Sequence, residues 1–253
     1  DLNYGIKEEN LISKYPTLLE LANYIKDNRN QERIGNLDWK EILNKDTNAD
    51  LPSSSFIAVI FKFLSFIVFK TFFRVKVKGK EKIEKDKPTI FVANHQSFLD
   101  GFLFNYSVPL KVMRKTYFLA TVIHFKSSIM KFMADSSNVV LVDMNKDIAE
   151  VMQILAKLLK ENKNVAIYPE GTRTRDGKMD KFKKSFAIIA KELSVDVQPY
   201  VIDGAYELFP AGKKLPKPGK ITVEFLDKIE VENLTYDEIV DEAYTVIKNK
   251  IEA

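Results

Sequence analysis

The chain has 253 residues, 45% hydrophobic and 29% charged, with a formal charge of +4; it can hold one large domain or a domain with a small appendage. That charge is too weak to imply nucleic acid, yet suits an anionic surface or a phosphorylated ligand. With no cysteine and only two histidines, His95 and His124, a disulfide scaffold, a thiolate nucleophile and a cysteine–zinc site are excluded, a histidine-rich metal site lacks ligands, and a reducing compartment is expected.

Residues 1–50 are polar and charged, so no signal peptide is expected. Within residues 1–28, Thr17 and Glu20 make a capping box, and Leu18, Leu21, Ala22 and Ile25 form one apolar stripe. The stretch "YGI…PTLLELANYI" resembles the end of an acyl- or peptidyl-carrier domain. The resemblance implies a longer parent with its phosphopantetheine-bearing serine upstream. On its residues alone the stretch reads equally as an N-terminal helical hairpin. Residues 29–55, with "NKDTNADLPSSS", read as a linker.

Seven of the chain's 18 phenylalanines lie in "FIAVIFKFLSFIVFKTFF", residues 56–73. As a helix this run would be roughly 27 Å long, near the hydrocarbon thickness of a bilayer. Ser55, Lys62, Ser65 and Lys70 fall on one side of that helix. A spanning helix would bury Lys62 in hydrocarbon at a cost of about 2–3 kcal/mol. A helix lying in the interface would let both lysines reach the headgroups. Residues 56–75 are therefore expected to form an amphipathic membrane-associated helix, with a buried core helix as the alternative.

From there the pattern alternates. Strands are expected at residues 74–78, 89–93, 139–142, 165–168, 198–202 and 221–225. Helices are expected at 98–105, 148–160, 182–191 and 236–251, the last capped by Thr235 with Glu238 three residues on. This predicts an α/β fold, a single mostly parallel or mixed sheet flanked by helices, over residues 76–253.

Two segments carry chemistry. In "FVANHQSFLDG", an apolar run ends at His95, and Asp100 falls at the first turn of the next helix. A carboxylate accepting from Nδ1–H would leave Nε2 as a base with a pKa suited to neutral pH. Ser97 is a candidate nucleophile; direct deprotonation of a substrate hydroxyl by His95 is the simpler scheme. A structural histidine beside a helix-capping aspartate explains the same residues. In "YPEGTRTRDGKMDKFKKS", Glu170, Gly171, Thr172 and Arg173 follow a strand. Six cations, Lys183 and Lys184 among them, lie between Arg173 and Lys184. Gly171 permits close backbone approach, and arginine offers a fork for phosphate oxygens. A solvated basic loop is the plain alternative.

Together "NHQSFLD" and "PEGTR" resemble the N-H-x-x-x-x-D and E-G-T-R blocks of the glycerolipid acyltransferases, in the family's order and spacing. "FFRVKVKGKEKI" and "VQPYVIDGAYELFP" are similar to flanking blocks, and the likeness is greatest to lysophosphatidate (1-acylglycerol-3-phosphate) acyltransferases. The resemblance implies that His95 is the base, Asp100 its orienting partner, and Glu170, Gly171, Thr172 and Arg173, with Lys183 and Lys184, the phosphate-binding set. It implies an O-acyltransferase taking a fatty acyl group from acyl-CoA or acyl-carrier protein to lysophosphatidate or a related lysophospholipid. No metal or bound cofactor is implied, and no nucleic acid. The setting implied is the cytoplasmic face of a membrane. A phospholipid transacylase, a lysophosphatidylethanolamine-type acyltransferase and a non-enzymatic module that docks a carrier domain are the alternatives. One departure stands out: in "NVVLVDMNKD", Asp143 is followed by Met144, where the family has arginine. Arg114, Lys115 or the lysines of 181–184 could replace that cation. His124 has no role implied.

Overall fold

The structure, a computed structural model, describes residues 37–45, 47, 51–52, 56–121, 138–142, 148–213 and 215–252. The carrier-like segment, most of the linker, His124, Asp143 and Met144 lie outside them. The chain divides into two compact units, Asp1–Ile42 and Leu43–Ala253. Asp38 of the first caps helix α1 (Trp39–Asn44), whose last two residues are counted with the second; its Oδ1 accepts from the Glu41 N–H at 3.0 Å.

The second unit is built on a sheet. Its strands are β1 (Lys76–Lys78), β2 (Ile90–Ala93), β3 (Thr116–Thr121), β4 (Val139–Val142), β5 (Asn164–Ile167), β6 (Val197–Asp203) and β7 (Thr222–Phe225). The order across the sheet is β1-β7-β6-β2-β5-β3-β4. All neighbours are parallel except β6 and β7. The sheet is thus mixed and mostly parallel, as the alternating pattern predicts. Central strands of such a sheet are covered on both faces and read as unbroken apolar runs; β2 is buried at all four positions.

Helices α2 (Phe56–Thr71), α3 (Asp100–Ser107) and α4 (Leu110–Lys115) cover one face. Phe69 from the first and Phe73 just beyond it, Leu103 and Phe104 from the second, and Val112 and Met113 from the third share a core with Phe91 and Ala93 of β2. Ile90 and Val92 point the other way, as the two-residue period of a strand requires. On that side α5 (Ile148–Lys160), α6 (Ser185–Glu192) and α8 (Tyr236–Ile251) pack on one another and on β5 and β6. The capping box read in the sequence closes α8: Thr235 accepts from the Glu238 N–H, and Glu238 accepts from the Thr235 N–H.

Strand β3 was not predicted. It follows α4 without an intervening residue, so no turn residue separates the two patterns. The four-residue helix α7 (Ala205–Leu208) is too short for a helical period to register.

Lys62 corrects the expectation for α2. Its ammonium does not reach outward toward headgroups; it donates inward to the carbonyls of Asn105 (2.6 Å) and Val108 (2.7 Å). The exposed side of α2 is instead apolar, with Phe63 68% and Ile67 65% exposed. Among the described residues no helix is long and apolar enough to cross a membrane.

Asn94 ties β2 to β6 beyond the end of the ladder. Its amide donates to the Ile202 carbonyl (2.7 Å) and accepts from the Ile202 N–H (2.9 Å). Asn94→Ala would leave both buried backbone groups unpaired. The expected loss is about 2–4 kcal/mol in urea unfolding; a loss well below 1 kcal/mol would show that the strand ends are held by other means.

Candidate active site

β2 lies between β5 and β6 and runs parallel to both. The loops that leave the carboxyl ends of these three strands therefore emerge at one edge of the sheet, where ligands bind in open α/β folds. The first loop carries His95, the second Glu170 to Arg173, and the third leads into α7. This adjacency is what brings the two sequence motifs together.

Hydrogen bonds knit the loops. The His95 N–H donates to Glu170 Oε1 (2.6 Å), and the Thr174 N–H donates to the His95 carbonyl (2.9 Å). Gln96 Oε1 accepts from the N–H groups of Ala205 (3.2 Å) and Tyr206 (3.3 Å). Ser97 Oγ donates to the Phe209 carbonyl at 2.8 Å. Ser97 is fully buried and committed to this bond, so it is not poised as a nucleophile.

His95 and Asp100 meet as their spacing predicts. His95 Nδ1 lies 2.7 Å from Asp100 Oδ2, the histidine side chain 22% exposed and the aspartate wholly buried. The same oxygen accepts from the N–H groups of Gln96 (2.7 Å) and Ser97 (2.9 Å). A carboxylate oxygen facing three donors assigns the Nδ1 proton and leaves the Nε2 lone pair as a base. Asp100 Oδ1 is buried with no hydrogen-bond partner among the described residues. Burial pushes the Asp100 carboxyl above its usual range, against the pull of His95 and the two backbone N–H groups.

Tyr168, which sequence reasoning passed over, stacks on the imidazole with ring centroids 4.3 Å apart and planes 13° from parallel. The Tyr200 hydroxyl donates to the Tyr168 hydroxyl at 3.1 Å. Desolvation pushes both phenols well above their ordinary value, so they remain neutral. The available signal was an aromatic residue directly before the Pro169-Glu170-Gly171 turn.

Glu170 is 5% exposed, and both its oxygens are engaged: Oε1 by His95, Oε2 by the Asp180 N–H at 2.8 Å. Burial raises its carboxyl, opposed by these backbone donors. With both oxygens occupied, Glu170 serves as a strut shaping the loop. Gly171 has φ 77°, and a Cβ there would meet Lys183 Nζ at 2.6 Å; only glycine admits both the turn and the lysine lying across it. Thr172 is exposed on this turn, and Arg173 precedes the Thr174 N–H that binds the His95 carbonyl. Tyr206 closes the loop's far end, its hydroxyl donating to the Arg175 carbonyl at 2.8 Å.

Three expected cations are not gathered here. Lys184 pairs with Asp237 of α8 at 2.6 Å. Arg114 and Lys115 end α4 just before β3; β3 runs parallel to β5 from Thr116 opposite Asn164, so they stand at the amino-terminal edge of the sheet, away from His95. Among the described residues, no three His, Asp or Glu side chains gather as a metal site.

The profile of the acyltransferase family matches residues 74–203, a span that holds both motifs. A 1-acyl-sn-glycerol-3-phosphate acyltransferase of Chlamydomonas reinhardtii is 33% identical over 184 residues, 71% of this chain and 54% of that protein. A chloroplastic protein of the same description from Arabidopsis thaliana is 30% identical over 151 residues, 56% of this chain and 40% of its own. The chain thus spans about half the length of the curated relatives it matches. The crystal structure of PlsC, the 1-acyl-sn-glycerophosphate acyltransferase of Thermotoga maritima, superposes with a TM-score of 0.65 at 28% identity, covering 78% of each chain. With its fold, its paired loops and more than half its length in agreement, the chain belongs to the acyltransferase family.

Proposed function

We propose that the chain is an O-acyltransferase that moves a fatty acyl group from an acyl thioester, acyl-CoA or acyl-carrier protein, to the free hydroxyl of lysophosphatidate or a related lysophospholipid. The observation that carries this reading is the bond from His95 Nδ1 to a fully buried Asp100, one hydrogen-bonded loop away from Arg173. In this scheme Nε2 takes the proton of the acceptor hydroxyl as its oxygen attacks the thioester carbonyl. The tetrahedral intermediate collapses, the C–S bond breaks, and the leaving thiolate recovers the proton from the imidazolium. Ser97 is buried and bonded, which favours direct transfer over an acyl-enzyme. Arg173 and Lys183 are the cations assigned to the acceptor phosphate. With the segment of Met144 outside the described residues, the lysine over Gly171 is the best substitute for the family's missing arginine.

A cytoplasmic membrane surface is the proposed setting. The apolar outer side of α2 supports it, as does the basic rim at that helix's end, where Lys70, Arg74 and Lys76 are exposed. The loop carrying Lys217 and Lys220 joins that rim: the Gly219 N–H donates to the Phe72 carbonyl (3.1 Å), and Arg74 Nε donates to the Gly219 carbonyl (3.3 Å). An apolar face rimmed by cations suits an anionic lipid surface.

The direct test is product analysis of purified protein given a panel of lysolipids with acyl-CoA, acyl-carrier protein or phosphatidylcholine as donor. Phosphatidate formation from a thioester, lowered at least about 10²-fold by His95→Ala, is the expected result. Products from phosphatidylcholine alone, or His95-independent turnover, would overturn it.

The two buried carboxylates give opposite predictions. The raised Asp100 value means that ionisation there costs folding free energy, a cost absent at pH values below the unfolded carboxyl's and growing as pH rises through the folded value. Asp100→Asn should lower turnover about 10²- to 10⁴-fold, while the thermal midpoint at pH 7 holds or rises. A midpoint several degrees lower would contradict this accounting. Glu170→Gln has one acceptor oxygen for two backbone donors. A stability loss of about 1–3 kcal/mol is expected, with turnover reduced and the acceptor KM little changed. A raised KM alone would make Glu170 a substrate contact.

A further inference from the structure

In sequence, α2 distributes Phe, Ile, Val and Leu around nearly its whole circumference. Apolar burial alone leaves the rotation of such a helix poorly determined, because several faces would bury similar area. Lys62 brings a charged side chain into the seam with α3. Its ammonium donates to the carbonyls of Asn105 and Val108, at the end of the helix whose first residue is Asp100. These are acceptors that a helix C-terminus leaves without intrahelical partners, at the negative end of its dipole. The rest of the stripe agrees. Phe66 and Phe69 lie against Tyr106 of α3, with ring centroids at 5.4 and 5.5 Å, and Phe69 and Phe73 are buried. Lys62, Phe66, Phe69 and Phe73 thus repeat at helical spacing along one face. On the opposite face Ile60, Phe63 and Ile67 are exposed.

We propose that Lys62 is a positioning residue: it fixes the rotation of α2 on the helix that carries Asp100, so that the Ile60–Phe63–Ile67 face is the one turned to lipid. The inference deepens the reading above and rests on its membrane surface, not on the identity of the acyl donor. Burial lowers the Lys62 pKa to about 8, with repulsion from Lys80 adding to it. An apolar residue would avoid that desolvation but would carry no rotational information, and a buried polar group used for register is a recognised trade. Once α2 is keyed to α3, the depth at which it lies in lipid also sets the height of His95 above the surface.

The chain has no cysteine, so single-cysteine labels are unambiguous. In the full chain, Phe63→Cys and, separately, Ser65→Cys are labelled with an environment-sensitive fluorophore and mixed with vesicles of phosphatidylcholine and phosphatidylglycerol. Ser65 lies about 160° from Phe63 at the α-helical 100° per residue. The expected result is a blue shift at position 63 and little at position 65. Adding Lys62→Met should erase that contrast, and Lys62→Arg should preserve it. Persistence of the contrast with Lys62→Met overturns the proposal, as does equal response of the two labels in the parent protein. Should Lys62→Met fail to fold, Lys62→Gln, whose shorter amide falls short of both carbonyls, carries the same outcomes. None of these readouts requires turnover, so failure here is distinct from failure of the acyltransfer assay. Where turnover is measured, Lys62→Met should lose at least about 10-fold in kcat/KM on a long-chain acceptor embedded in vesicles, while a short-chain soluble acceptor stays within about 3-fold. Equal losses on both overturn the proposal.

Discussion

The parallel placement of β2 between β5 and β6 is the constraint on which the site depends. Parallel neighbours send their loops out at the same edge, so a histidine after β2 and a basic turn after β5 are held side by side although far apart in the chain. Strand pairing alone leaves loops free to move. Here the loops are joined through backbone groups: His95 to Glu170 and Thr174, Gln96 to α7, Ser97 to Phe209. The backbone of His95 is tied on both sides of its Cα, which leaves the residue little freedom beyond its side-chain torsions. Asp100 and the Tyr168 ring restrict those.

Two buried carboxylates organise this edge, and among the described residues neither has a lysine or arginine partner. Asp100 and Glu170 rely on backbone N–H groups, and burial raises both carboxyls. Stability is given up locally so that one oxygen of Asp100 orients the imidazole and both oxygens of Glu170 shape the turn beneath Arg173. Asp100 Oδ1, buried without a partner among the described residues, belongs to the same compromise. Strained or under-satisfied groups of this kind concentrate at functional sites.

The helix beside this edge follows a related logic. The exposed side of α2 is apolar, yet its inward lysine grips the end of the helix that begins at Asp100. The outer helix and the helix of the candidate site are thus joined by two hydrogen bonds, with aromatic packing along the seam.

By itself the sequence determined a good deal: the sheet class, most strands and helices, the capping box of α8 and the pairing of His95 with Asp100. Each of these is local, a matter of period or of spacing within one turn, and local geometry is written in residue order. Rotation, partner choice and sheet edge were decided only by the tertiary structure. Lys62 sits on the same arc as Lys70 in a helical projection, and nothing in that projection says whether the arc faces water or the end of another helix. Glu170 looks like part of a ligand set until two backbone donors from other segments occupy it. Arg114 and Lys115 are cations near the motif in sequence, and the parallel direction of β3 carries them to the opposite edge. Long-range hydrogen bonds and strand direction set these outcomes, and both depend on segments that only meet when the chain is folded.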